Sequence, residues 1–102
     1  MQTRPLKEIK LKLPGDLVDT ITAKEIITLL LDKALGKAES YRSKCKEFEE
    51  KYHLPFEEFK RKVEKDKKES FSDWDELMVW EGNELAHQEW QKKYEELKMC
   101  RE

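Results

Sequence analysis

The sequence predicts a mainly helical fold: an antiparallel helical bundle of about three helices with a short N-terminal β-strand arm. Three observations lead there. From Ile27 to Tyr52, the residues Ile27, Leu31, Ala34, Ala38, Tyr41, Cys45, Phe48 and Tyr52 recur at alternating spacings of four and three. That is the a/d seam of a helix pressing one stripe against its neighbours. Only 37% of the 102 residues are hydrophobic and 43% are charged, which suits slim helices with one buried stripe each. Near the start, Ile9, Leu11 and Leu13 alternate with Lys10 and Lys12, the period of a half-buried strand. The length fits one domain, with residues 1–21 as arm and short helical turn and 22–102 as the bundle.

Taken in order, the elements have local causes. Pro14-Gly15 closes the strand, and no second convincing strand follows, so the arm needs an edge from a second copy or a partner. Asp16 to Ile21 reads as a helical turn or two. Thr22-Ala23-Lys24-Glu25 has the capping-box form and starts the long helix. Gly36 lies off the seam, and Ala34 and Ala38 suggest close approach of a neighbouring backbone. His53-Leu54-Pro55 breaks this helix, and Phe56, Phe59 and Val63 place a stripe on a short helix over about 55–68. Ser72 is a natural N-cap for a last helix over about 73–99. Its apolar side is expected to hold Trp74, Leu77, Met78, Leu85, Trp90, Tyr94 and Leu97. Gly82, on the Met78 side, would admit a closely packed neighbour.

Composition narrows function by exclusion. A formal net charge of −2 argues against a dominant electrostatic nucleic-acid binder. No apolar run approaches the ~20 residues of a membrane span, and no membrane association is expected. Cys45 and Cys100 stand alone, which points to the reducing cytoplasm. There is no glycine-rich phosphate loop, nucleophile elbow or zinc spacing, so neither catalysis nor a cofactor is expected.

What remains is uneven charge. Residues 71–102 carry 4 basic and 9 acidic groups, and from Glu69 to Gln91 seven acids occur without one Lys or Arg. The helix macrodipole explains acids at the start of a helix, but not Glu81, Glu84 and Glu89 well inside it. An acidic ridge of Asp75, Glu76, Glu81 and Glu84 with Trp80 as an aromatic anchor would suit a basic protein partner. The alternative is a solvated helix face with Trp80 buried against Phe59 or Tyr41. Glu84 and His87 have the Glu-x-x-His spacing of di-iron bundles, a weak metal signal because it is half a site. Lys10 and Lys12 on the strand are weak candidates for contacting DNA.

The opening, from Ile9-Lys10-Leu11-Lys12-Leu13-Pro14 through Leu17-Val18, resembles the start of ribbon-helix-helix antitoxins. Over most of its length, the chain resembles small uncharacterised archaeal and bacterial antitoxin-like helical proteins. The residues carrying that likeness are Phe48-Glu49-Glu50-Lys51-Tyr52-His53-Leu54-Pro55-Phe56-Glu57-Glu58-Phe59, then Trp74-Asp75-Glu76-Leu77 and Trp80-Glu81. The resemblance implies partner binding rather than catalysis. The resulting expectation is a homodimer that masks a basic partner, such as a small nuclease toxin, through its last helix. The alternatives are a dimeric transcriptional regulator using the strand, or a purely structural oligomerising bundle.

Overall fold

A computed structural model describes residues 6–66 and 71–100. Four helices occur in the order α1 (Gly15–Val18), α2 (Ala23–Tyr52), α3 (Phe56–Lys65) and α4 (Phe71–Lys98). The bundle is therefore mainly helical as expected, with a separate one-turn helix ahead of the three longer ones. The expected strand is absent: residues 6–14 form no strand, and none occurs elsewhere among the described residues. A strand needs a second backbone to take up its N–H and C=O groups, and these residues offer none. Every residue from Leu6 to Thr20 is exposed.

α2 begins where the capping box placed it. The Thr22 side chain accepts from the Glu25 backbone N–H at 3.1 Å, and the Glu25 carboxylate accepts from the Thr22 N–H at 3.4 Å. The helix ends at His53, which adopts left-handed φ 55° and ψ 34° while its N–H donates to the Glu49 carbonyl at 2.8 Å. That conformation crowds a Cβ, but it turns the chain sharply enough for Pro55 to open α3. α3 buries Phe59 and Val63, the stripe expected of it. α4 starts at Phe71, so Ser72 lies inside the helix rather than capping it.

α2 and α4 run antiparallel. Tyr52 meets Glu76, Phe48 meets Trp80 and Ala38 meets His87, numbers rising on one helix as they fall on the other. Every seam residue of α2 is buried or half-buried, with Ala34, Ala38 and Cys45 buried completely enough to count as core. The alanines let the two backbones approach, and the His87 ring nitrogen Nδ1 reaches the Ala38 carbonyl at 2.9 Å. α3 is 10 residues against 30 and 28 for its neighbours, so it covers only one end of the hairpin. The principal core sits there: Cys45, Phe59, Val63, Leu77 and Trp80, with Phe48, Tyr52, Leu54 and Phe56 against it. The result is a rod, 63 × 30 × 21 Å.

Two expectations for α4 need correction. Trp80 is wholly buried, with 0% of its surface exposed, while Met78 and Leu85 are turned outward. Gly82 has no neighbour within 4 Å of a Cβ built on it, so nothing among the described residues packs closely there. The physical reason is that α4 has apolar residues in two directions, and the α2 seam can accept only one.

The alanine seam and Gly36 separate two effects. Ala38→Leu is expected to lower stability by about 1–3 kcal/mol through overpacking. Gly36→Ala, with nothing within 4 Å of its Cβ position, should raise it by about 1 kcal/mol. Urea unfolding of both variants against the parent checks the pair.

Candidate functional site

The candidate site is α4, and the geometry divides its residues into two groups. The inner face holds Leu77, Trp80, Glu84 and His87. Trp80 lies among Phe48, Tyr52, Phe56 and Phe59, with ring centroids 5.4, 6.3, 5.5 and 5.2 Å away. It is a core residue buried against Phe59, so its ring is out of reach of a partner and does not form the expected aromatic anchor. Its Nε1–H has no hydrogen-bond partner among the described residues.

The acids of α4 are not all uncompensated. Glu76 accepts from the Lys51 ammonium and from the Tyr52 hydroxyl, both on α2. These bonds hold the Glu76 carboxyl below the ordinary carboxylate range, the one from Lys51 contributing most. Burial first, and then the Glu76 carboxylate, push the Tyr52 hydroxyl well above its usual value. Glu81 pairs with Lys60 of α3 at 3.2 Å. Glu84 is half-buried beside Cys45, where burial, followed by a hydrogen bond to Glu84 and its charge, pushes the thiol up to about 12. A thiol held protonated in this way is a poor nucleophile at neutral pH. The ion pairs were invisible in sequence because they join residues 21 and 25 positions apart. Only the antiparallel register of α2 and α4 and the placement of α3 bring them together.

His87 uses Nδ1 toward the Ala38 carbonyl. Among the described residues, no group of three or more His, Cys, Asp or Glu side chains could hold a metal ion, so Glu84 and His87 lack a third ligand here. Lys10 and Lys12 are both exposed, on a segment without a strand to align them. Glu69, part of the acidic run, lies outside the described residues. No described helix is long and apolar enough to cross a membrane.

The outer face of α4 was missed as a separate feature. Phe71, Trp74, Met78 and Leu85 are 82, 40, 69 and 60% exposed. At about 100° per residue they fall in a sector roughly 60° wide, about 150° from the direction of Trp80. Asp75, Glu81, Gly82 and Glu89 lie in or beside that sector. Asp75 is exposed and forms no ion pair among the described residues. The signal was available in the spacing: Trp90 and Leu97 cannot share a straight stripe with Trp74, Met78 and Leu85. No protein-family model, curated protein or solved structure matches the chain.

Glu76 supplies a test of the pairing. Its folded value lies below the unfolded one, so the unfolded chain binds more protons in acid. The stabilisation is complete above the ordinary carboxylate value of 4.5 and is lost as pH falls through the lowered folded value. Glu76→Gln should be less stable than the parent at pH 7, with the gap narrowing below about pH 4. Thermal melts across pH 3–7 measure it.

Proposed function

We propose that the chain is a protein-binding module without catalytic activity that covers a basic partner through the outer face of α4. It would act as an antitoxin does in masking a small nuclease. The observation that supports this is the exposed apolar stripe of α4 set among acids. A helix in a lone bundle gains nothing from turning Phe71, Trp74 and Met78 to water, and contiguous exposed apolar surface with a charged rim is the composition of a binding face. The aromatic anchor of that face is Trp74, in place of Trp80. Asp75 is the acid best placed to meet a cation, while Glu76, Glu81 and Glu84 serve mainly inside the bundle. Carboxylates around such a face steer a basic protein toward it.

The test uses the product of the neighbouring reading frame, co-expressed with the parent chain or with a Trp74→Ser, Asp75→Lys double variant. Both residues are exposed, so the variant should keep the parent's circular dichroism and melting behaviour. Recovery of the partner should fall about tenfold or more, since anchors at binding faces typically cost 2 kcal/mol or more when removed. Equal recovery would exclude this face.

A second reading concerns self-association and is favoured by the exposed arm. Leu6, Ile9, Leu11, Leu13, Leu17 and Val18 are all exposed in the single chain, and their pairing across a homodimer would cover them. On that reading, sedimentation equilibrium gives about twice the 12.3 kDa chain mass. Replacing Ile9 and Leu11 with Asp returns the chain to a monomer. A parent that stays monomeric at about 100 µM, roughly −5.5 kcal/mol on the affinity scale, would remove the homodimer.

A further inference from the structure

Resting on the reading of α4's outer face as a binding site, we propose that the occupant is an amphipathic helix with basic flanks, crossing α4 closely at Gly82. Spacing is the first argument. Phe71, Trp74, Met78 and Leu85 stand at i, i+3, i+7 and i+14, so they form one ridge about 21 Å long. A ridge of this period interlocks with the i, i+3, i+4, i+7 side chains of another helix, whereas a strand presents its side chains with a period of two.

Gly82 supplies the second argument. It sits between Met78 and Leu85 at the edge of that sector, and a Cβ built there meets nothing within 4 Å. The ridge therefore has a notch that no described residue fills. A helix costs about 1 kcal/mol by carrying glycine instead of alanine in its interior. Interaxial distances span about 8–10 Å according to the side chains at the contact, and a notch between Met78 and Leu85 permits the short end of that range.

Charge selects the occupant. Between Phe71 and Gln91, α4 carries Asp73, Asp75, Glu76, Glu81, Glu84 and Glu89 and no Lys or Arg. Asp75, Glu81 and Glu89 border the ridge itself; Glu81 and Glu89 also pair with Lys60 and Lys93 at the surface, and Asp75 forms no ion pair among the described residues. A second copy of α4 laid antiparallel across Gly82 would set these acids against their own kind, which disfavours self-pairing. A partner helix with an apolar stripe and Lys or Arg on both sides meets the ridge with its stripe and the acids with its flanks. A single helix face is a small interface, below the ~1,200 Å² of standard complexes, so its affinity should lie in the micromolar range.

The experiment measures fluorescence anisotropy of labelled synthetic peptides with the full chain. The probes are an 18-residue amphipathic Leu/Lys helix, its Leu/Glu counterpart, and a Leu/Lys peptide of the same composition broken by two prolines. The Leu/Lys helix should bind and weaken with added salt, and the Leu/Glu helix should not bind. Gly82→Ile should weaken binding of the Leu/Lys helix about tenfold. The same substitution should leave the melting temperature unchanged or higher, because isoleucine replaces glycine in open space. Equal binding of the acidic helix, or undiminished binding by a folded Gly82→Ile variant, would overturn the proposal. If the proline-broken peptide binds as well as the intact helix, the helical mode is overturned while the basic-partner reading stands. If no peptide binds, both are lost.

Discussion

The burial of one indole holds this fold together. Trp80 is the point where all three long helices meet: Phe48 and Tyr52 come from α2, Phe56 and Phe59 from α3, and α4 carries the ring itself. An aromatic side chain of this size buries about 150–250 Å², worth roughly 4–6 kcal/mol at ~25 cal/mol per Å². The unpaired Nε1–H returns about 1–3 kcal/mol of that. The balance still favours burial, because the ring organises four others around it.

Placing Trp80 inward dictates what the rest of α4 must do. Once Leu77 and Trp80 face α2 and α3, the pitch of the helix turns Phe71, Trp74, Met78 and Leu85 away from the core. The inner face continues through Glu84 and His87, polar residues that satisfy themselves against Cys45 and the Ala38 carbonyl. The acids divide by the same geometry. Those that reach α2 or α3 become tertiary pairs, while on the outer side Glu89 pairs with Lys93 along the helix and Asp75 forms no ion pair among the described residues. Core-forming residues and exposed apolar residues thus share one helix on opposite faces.

How much of this could be read from sequence depended on whether a feature was local. The α2 seam, its capping box and the break at His53-Leu54-Pro55 are encoded within a few turns, and each stands where the spacing placed it. Phe59 and Val63 were legible for the same reason. The N-terminal strand was not, since alternation of Ile9, Leu11 and Leu13 describes a side-chain pattern while strand formation depends on a second backbone. Trp80 was misplaced because the apolar residues of α4 point two ways, and a pattern cannot tell which way the core lies. The ion pairs of Glu76 and Glu81 depend on helix register and on α3's position, which no local stretch contains.

The unequal helix lengths also grade the molecule along its axis. The end covered by α3 has a three-layered aromatic centre. Beyond it, α2 and α4 lean on each other alone, with Leu31 and Ile27 only half-buried. Backbone amides near Thr22 are therefore free to exchange with solvent through local fraying, whereas those near Cys45 exchange only when the whole domain opens. A binding event on α4 near Met78 is thus mounted on the rigid end of the rod. The arm occupies the end that loosens first, where it can be remodelled without unmaking the rest.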